Sequence, residues 1–235
     1  MSPLPVPVYV AHAGGAVNGA DYQNTIEALD LNYAKGFRFF ELDFSWTSDR
    51  ALVGIHDWGR IYSRLFVDSS NIPDLESFTQ QSMKDGSMPV TFERLDSWLK
   101  NHADARVASD LKEDNLEGLN WIKHNYPLVS ERIIPQIYEP REYKSVKDAG
   151  YRNIILTMYR LPGSANNEVI SFAQKHDLAA VTLPIYRFEQ KPLVNELLEL
   201  GIPVCVHTIN DAKIWQKLKL EGAECIYTDW LIDGS

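Results

Sequence analysis

Residues 37–56 read FRFFELDFSWTSDRALVGIH and contain two apolar segments separated by a short polar link. Phe37–Phe44 and Leu52–His56 are rich in aromatic and β-branched residues, which is typical of buried strands. Only residues 45–51 separate them. Because a helical crossover between parallel strands needs about a dozen residues or more, we expect the second segment to fold back as a hairpin.

Around this hairpin the chain alternates apolar segments of about five to eight residues with stretches of helical spacing. The further predicted strands are Pro7–Ala11, Arg106–Leu111, Ile133–Tyr138, Asn153–Tyr159, Ala179–Pro184, Pro203–Thr208 and Cys225–Thr228. Alternating strands and helices imply a parallel sheet with right-handed crossovers. Without Leu52–His56 eight strands remain, which predicts an α/β fold, the TIM (β/α)8 barrel. We expect one domain over residues 1–235, with a hairpin and loop insertion after strand 2 at about 45–88.

The composition is that of a globular protein and narrows the classes of partner. The chain has 235 residues, 45% of them hydrophobic, and 23 basic against 32 acidic residues give a net charge of −9. This balance argues against nucleic-acid binding, which needs a basic surface. No apolar run reaches the roughly 18 residues that span a bilayer, so integral membrane association is not expected. The oligomeric state is not indicated.

Two features bear on the cellular compartment. Met1–Val10 has neither a charged segment nor a long apolar one, so no signal peptide is predicted. Cys205 and Cys225 each lie in an apolar run and are interpreted as buried free thiols. Both observations favour a reducing cytoplasm.

Three carboxylates are predicted to meet at one end of the barrel. Glu41 and Asp43 end strand 2 and, being two residues apart, point to one face of the sheet. Asp110 ends the next barrel strand. Three carboxylates at one site do not all ionise comfortably without a cation, and oxygen ligands suit Mg²⁺ or Ca²⁺. The sequence therefore predicts one divalent metal ion on these three residues.

Two histidines and one lysine accompany the carboxylates. His12 follows the first strand, His56 ends the hairpin, and Lys112 lies two residues after Asp110. Histidine titrates near neutral pH, as general acids and bases must. Lys112 is suited to neutralising an anionic oxygen as a point charge. A metal, an acid, a base and a cation together indicate phosphoryl chemistry.

The first long helix has a predicted capping box. Asn24 precedes Thr25-Ile26-Glu27, so Asn24 is expected to cap the helix and Glu27 to return a hydrogen bond from the third helical position.

The order of these motifs resembles that of the glycerophosphodiester phosphodiesterases, over nearly the whole chain. The matching motifs are His12-Ala13-Gly14, Asn24-Thr25, Glu41-Leu42-Asp43, Thr47-Ser48-Asp49, His56-Asp57, Asp110-Leu111-Lys112, Thr208-Ile209-Asn210 and Thr228-Asp229. The resemblance implies a TIM barrel with a divalent metal on the three carboxylates and with His12 and His56 as the catalytic pair. It also implies a small-molecule substrate, a glycerophosphodiester, cleaved to an alcohol and glycerol phosphate in lipid metabolism.

The chain departs from the family at three positions in these motifs. Ala13 stands where the family usually has an arginine that contacts phosphate, Gln23 where it has glutamate, and Asp110 where it has glutamate. The sequence Asp-Leu-Lys at this strand also resembles the related sphingomyelinase D barrels, which likewise lack the arginine. His207, where the family often has tryptophan, is a candidate substrate contact, with a buried structural role as the alternative.

Other cations are expected to replace the missing arginine. Besides Lys112, the candidates are Arg160 and Arg187, which follow strand ends in the repeated pairs Tyr159-Arg160 and Tyr186-Arg187. Loops after barrel strands open onto the catalytic end, so these arginines are predicted to bind phosphate oxygens and the tyrosines to bound the pocket. The alternative is that both arginines are solvated or paired with carboxylates.

Two rival functions remain open. A phospholipase-like enzyme that acts on a lipid or stops at a cyclic phosphate predicts apolar residues around the mouth. Residues Trp58, Ile61, Tyr62, Leu65 and Phe66 suit it, unless this loop packs on its own barrel. A non-catalytic barrel that binds phosphate esters is the second rival, but it requires a lost catalytic residue.

Overall fold

The computed structural model describes residues 7–232, so part of the Met1–Val10 segment lies outside the described residues. The strands are β1 (Tyr9–Ala11), β2 (Phe39–Trp46), β3 (Leu52–Gly54), β4 (Arg106–Leu111), β5 (Ile133–Ile137), β6 (Ile155–Thr157), β7 (Ala180–Pro184), β8 (Val204–His207) and β9 (Cys225–Thr228). The α-helices are α1 (Ile26–Ala34), α2 (Arg60–Leu65), α3 (Leu75–Gln80), α4 (Phe92–Asn101), α5 (Asn115–Asn125), α6 (Pro127–Ser130), α7 (Glu142–Asp148), α8 (Asn166–Ala173), α9 (Ile185–Phe188), α10 (Lys191–Glu199) and α11 (Ala212–Leu220). Each predicted strand segment overlaps one observed strand, and β2 extends beyond its segment to Trp46.

The sheet is the predicted TIM barrel. Eight parallel strands follow one another in the order β1, β2, β4, β5, β6, β7, β8 and β9, and β1 also pairs with β2, which closes the barrel. The ninth strand, β3, is antiparallel to β2, with Phe44 opposite Gly54 and Trp46 opposite Leu52. The hairpin expected from the short link is therefore confirmed.

The described chain divides into two compact units. One comprises residues 11–133, and the other comprises residues 7–10 and 134–232. The three carboxylates, both catalytic histidine candidates and Lys112 all belong to the first unit. The expectation of a single domain stays a prediction. No helix within residues 7–232 is long and apolar enough to cross a membrane.

The insertion after β2 is more ordered than predicted. Residues 57–88, expected to be irregular, contain the short helices α2 and α3. These helices and β3 share a small apolar core, the insertion core, which consists of Val53, Ile55, Ile61, Tyr62, Leu65, Phe66, Phe78 and Met83. Ile61 and Tyr62 are fully buried and Phe66 is 1% exposed, so they do not form an apolar rim for lipid. These side chains pack within the insertion itself, which is close to the alternative of a loop packed on its own barrel.

The predicted capping box is wrong by one residue. Thr25 caps α1, its hydroxyl accepting from the amide of Ala28 at 3.1 Å. The Glu27 carboxylate accepts from the amide of Met88 at 2.9 Å instead of closing a box. The side chain of Asn24 is hydrogen-bonded to Asp43 of β2 and therefore does not cap the helix.

The two cysteines form a disulfide, so the prediction of free thiols is wrong. Cys205 on β8 and Cys225 on β9 are direct partners across the parallel pair, with their Cα atoms 4.5 Å apart. Both are buried, at 2% and 0% exposure. Residues 20 positions apart come together here because one strand, one helix and the next strand bring them into register.

Replacing both cysteines with alanine is expected to lower the free energy of unfolding by about 3 kcal/mol, because the bond closes a loop of about 20 residues in the unfolded chain. Urea denaturation of the oxidised wild type and the double variant measures this difference. Two freely alkylated thiols in unreduced, denatured protein would contradict the assignment.

Candidate active site

Three buried carboxylates meet at the ends of β2 and β4. Asp43 and Asp110 are direct partners across the parallel strands, and Glu41 lies two residues earlier on the same face of β2. One oxygen from each lies within 4.8 Å of the others. Glu41 and Asp43 are 3% and 1% exposed. The predicted convergence of these three residues is therefore present in the structure.

The cluster holds more negative charge than its protein surroundings compensate. Burial, followed by the charges of Asp43 and Asp110, raises the pKa of Glu41 to about 8 against the opposing influence of His12 and Lys112. A carboxyl group held neutral in this way is a poor metal ligand until a cation displaces its proton. The donor set of three carboxylate oxygens fits Mg²⁺ or Ca²⁺.

Lys112 is the counter-charge within the cluster. Its Nζ lies 2.5 Å from Oδ1 of Asp43 and 2.8 Å from Oδ2 of Asp110. The side chain is 13% exposed. The ammonium group neutralises part of the negative charge of the cluster, and a divalent cation would neutralise more of it.

Asn24 fixes the orientation of Asp43. Its Nδ2 donates to Oδ2 of Asp43 at 2.9 Å, and its Oδ1 accepts from the amide of the same residue at 3.0 Å. The amide of Asn24 donates to the carbonyl of Ala13 at 2.8 Å. Asn24 therefore joins the loop after β1, through its backbone amide, to a predicted metal ligand, through its side chain, a role that the motif Asn24-Thr25 alone did not specify.

The turn after β1 places His12 next to the carboxylates. The amide of Ala13 donates to Oε2 of Glu41 at 2.8 Å, so the residue after His12 is bonded directly to the cluster. The turn packs on α1 through the buried side chain of Asn32, which donates to the carbonyls of Gly14 and Ala28. Gly15 is required there, because a Cβ would lie 2.3 Å from Nδ2 of Asn32.

His56 is held by the residue that follows it. Its Nδ1 lies 2.9 Å from Oδ2 of Asp57. The other oxygen of Asp57 accepts from the amides of Gly59 and Ile61. Burial raises the pKa of Asp57, but the hydrogen bonds from His56, Ile61 and Gly59 outweigh it and hold the pKa below its usual value. An ionised Asp57 only accepts, so Nδ1 of His56 carries the proton and Nε2 is left for proton exchange.

The other predicted substrate contacts belong to the second unit. Arg160 follows β6 and is exposed; its guanidinium lies over the ring of Tyr138 at 3.5 Å, and its Nε donates to the hydroxyl of Tyr159 at 3.0 Å. The ring of Tyr159 also contacts that of His207, at the end of β8, with centroids 5.9 Å apart. Tyr186 is 57% exposed. The substrate roles of these residues stay predictions.

Arg187 differs from Arg160 despite the repeated Tyr-Arg pair. It lies in α9 and is 1% exposed. Its guanidinium donates to Oδ1 of Asn166 at 2.8 Å and to the carbonyl of Leu161, so its hydrogen bonds are internal. No carboxylate within residues 7–232 pairs with it. The predicted phosphate contact therefore does not suit Arg187, because its side chain is committed to the packing of the loops after β6 and β7.

Replacing Arg187 with alanine is expected to lower the free energy of unfolding by about 2 kcal/mol or more, since it leaves buried acceptors without donors and removes packed methylene groups. Arg187→Met, which keeps most of the side-chain volume, should lower the free energy of unfolding by less. Urea denaturation measures both. If Arg187→Ala left the stability unchanged and lowered the activity, the predicted role of Arg187 as a phosphate contact would be supported instead.

Solved structures of glycerophosphodiester phosphodiesterases share this fold. One from Thermotoga maritima is 20% identical, with 96% of each chain covered and a TM-score of 0.73. One from Parabacteroides distasonis is 18% identical, with 94% of this chain and 92% of that chain covered and a TM-score of 0.72. A phosphodiesterase from Oleispira antarctica, in complex with the product sn-glycerol-3-phosphate, is 17% identical, with 95% and 93% covered and a TM-score of 0.74.

Neither a family model nor a curated protein sequence matches the chain. The likeness is therefore one of structure, and at these identities it establishes the fold. The chain has the TIM barrel of glycerophosphodiester phosphodiesterases, as its motif order implied.

Proposed function

We propose that the protein is a metal-dependent phosphoric diester hydrolase that cleaves a glycerophosphodiester to an alcohol and glycerol phosphate. The observation that carries the proposal is the buried group of Glu41, Asp43 and Asp110 in the same unit as His12 and His56. Burying three carboxylates costs more free energy than burying apolar side chains of similar size, so the cluster indicates a functional site and not a structural one. It suits a cation that binds a phosphate oxygen.

The metal, when bound, would be held by these three carboxylates and would polarise the phosphorus–oxygen bonds. His12 and His56 act as the acid–base pair. One imidazole removes the proton from a hydroxyl of the substrate, which forms a new bond to phosphorus. The other imidazole protonates the departing alcohol as its bond to phosphorus breaks. Water then opens the cyclic phosphate with the two roles exchanged.

Asp57 and Asn24 keep these groups in position. With Nδ1 of His56 bonded to Asp57, the imidazole presents Nε2 as its reacting atom. Asn24 restrains the Asp43 carboxylate while Lys112 lies between Asp43 and Asp110. Prior orientation of this kind avoids reorganisation during the reaction.

A glycerophosphodiester is the substrate class that the resemblance implies. The Oleispira antarctica structure contains sn-glycerol-3-phosphate, which is the product class expected here. The lipid alternative loses its support in the insertion, because four of the five apolar residues cited for it belong to the insertion core and the fifth, Trp58, packs against that core.

The deciding experiment is hydrolysis of bis-(p-nitrophenyl) phosphate and a panel of glycerophosphodiesters by metal-free protein, with and without Mg²⁺ or Ca²⁺. Metal-dependent release of alcohol by the wild type, absent in His12→Ala, supports the proposal. No turnover of any diester with either metal contradicts it.

Arg160 is proposed as a phosphate contact in place of the absent arginine at position 13. Arg160→Ala is expected to lower kcat/KM by roughly tenfold or more, the value of one charge-assisted hydrogen bond. Steady-state kinetics on the best diester of the panel measure it. Arg152, which is exposed and precedes β6 at the end of the strand opposite to Arg160, offers the control variant Arg152→Ala. Equal kinetics in the wild type and both variants would leave Lys112 and the metal as the phosphate-binding groups.

The cytoplasmic location expected from the sequence stays a prediction. The disulfide between Cys205 and Cys225 favours an oxidising compartment instead, since structural disulfides persist mainly there.

A further inference from the structure

A tyrosine without a role in the proposed reaction stands between the two catalytic histidine candidates. The ring centroid of Tyr22 lies 4.9 Å from that of His12 and 4.8 Å from that of His56. The planes meet at 76° and 78°, so both contacts are edge-to-face. This is the preferred arrangement of aromatic neighbours, and it restricts the rotation of both imidazoles.

The backbone of Tyr22 is held in an unfavourable conformation. Its φ is 53°, in the left-handed region that side chains larger than hydrogen rarely occupy. Nearby bonds maintain it: Arg64 in α2 donates to Oδ1 of Asp21 at 2.7 Å and to the carbonyl of Asp21 at 2.6 Å. Such strain persists only where the surroundings impose it, and it is concentrated at functional sites.

The insertion core supports the same ring. Tyr22 packs against this core, whose members include Val53 of β3 and Ile61 and Tyr62 of α2. The guanidinium of Arg64 lies over the ring, 5.9 Å from its centroid. The ring of Tyr22 is therefore placed by the insertion and in turn contacts both histidines.

We propose that Tyr22 is a positioning residue that sets the relative orientation of His12 and His56, and that the insertion after β2 acts on catalysis through this ring. The inference rests on the proposed function, in which the two histidines exchange protons with the same substrate. A side chain that fixes both of them aligns the acid with the base. Both contacts with the histidines are made by the ring of Tyr22, so we expect the ring, and not the hydroxyl, to carry this role.

Tyr22→Leu keeps an apolar side chain and removes the ring. We expect kcat to fall by about tenfold to a hundredfold with little change in KM, because alignment of the acid and the base acts in the transition state. Tyr22→Phe should restore nearly the full rate. Equal losses in Tyr22→Phe and Tyr22→Leu, or a raised KM in Tyr22→Phe alone, would overturn the proposal by assigning the effect to the hydroxyl.

Tyr33→Leu is the matched control. Tyr33 is also half-buried, and its ring meets that of His102 edge-on, with centroids 4.3 Å apart, while Arg38 lies over it. His102 is not part of the candidate site. Tyr33→Leu should cost similar stability and leave kcat unchanged. If Tyr33→Leu lowers kcat as much as Tyr22→Leu does, the fall in kcat reflects general destabilisation and the proposal is wrong.

A second readout does not depend on activity. At these distances the ring current of Tyr22 is expected to shift the imidazole proton resonances of His12 and His56, which can be assigned with the alanine variants. Both sets should move in Tyr22→Leu and stay in Tyr22→Phe. Unmoved resonances would overturn the contact itself. Moved resonances in a protein that hydrolyses no diester would support the contact and reject the proposed function.

If Tyr22→Leu does not fold, Tyr22→Met provides the same comparison, because methionine fills irregular apolar space without a flat ring. The same fall in kcat and the same movement of both imidazole resonances are expected. Wild-type values for either would overturn the proposal.

Discussion

Replacing His12 or His56 with alanine is expected to lower kcat by about 10²–10⁴-fold, the usual contribution of a general acid or base. Both imidazoles act on one chain of proton transfers, so loss of either leaves the other without its complement. The double variant should therefore be little worse than the poorer single variant. Steady-state kinetics of the three variants on one diester, with saturating metal, measure this.

His124→Ala is the control for these variants, because His124 is exposed at the end of α5. It should retain wild-type kinetics. A double variant whose loss equals the product of two large single losses would show that the histidines act in separate steps.

Removing the metal is expected to abolish turnover. The affinity for the metal is expected to depend on pH, because Glu41 must lose its proton to bind it. Burial and the neighbouring carboxylates raise the pKa of Glu41 to about 8 in the metal-free protein. A metal binds only the ionised carboxylate, so below pH 8 it must displace a proton. Affinity should then rise up to about tenfold per pH unit from pH 6 to 8 and level off above.

Calorimetric titration of metal-free protein with Mg²⁺ or Ca²⁺ in buffers of different ionisation enthalpy measures the affinity and the released proton. Glu41→Gln should bind more weakly and lose this pH dependence. Glu93→Gln, at an exposed position in α4, should behave as the wild type. Full activity in excess chelator, or an affinity that is flat from pH 6 to 8, would contradict the expectation.

The parts of the fold that depend on local patterns were predictable from the sequence. Apolar segments bounded by polar residues locate the strands, and the short link after Phe44 identifies β3 as a hairpin strand. The alternation of side chains along a strand places Glu41 and Asp43 on one face, and the parallel register adds Asp110. These relations need only the geometry of strands.

The predictions that were wrong concern side chains whose contacts are made with residues distant in the chain. Asn24 has the chemistry of a helix cap, but Asp43 takes its side chain and Thr25 becomes the cap. Cys205 and Cys225 look like core thiols until the register of β8 and β9 places them opposite each other.

The two Tyr-Arg pairs show the same limit. Arg160 and Arg187 follow tyrosines in similar sequence contexts, yet one lies exposed against Tyr138 and the other is buried beside Asn166. The difference comes from α9, a four-residue helix too short to leave a periodic pattern. The role of Tyr22 is not predictable from the sequence, because nothing near it in the chain indicates contact with two histidines that lie 10 and 34 positions away.

The insertion core also has a consequence for how this sequence can diverge. Ile61, Tyr62 and Phe78 are fully enclosed, whereas Val67 and Ile72, in the link between α2 and α3, are 69% and 47% exposed. Natural variation should therefore accumulate in residues 67–72 and spare the enclosed side chains. In a homologue with a shortened insertion, compensating substitutions are expected first at position 22, since that residue loses its support before any barrel strand does.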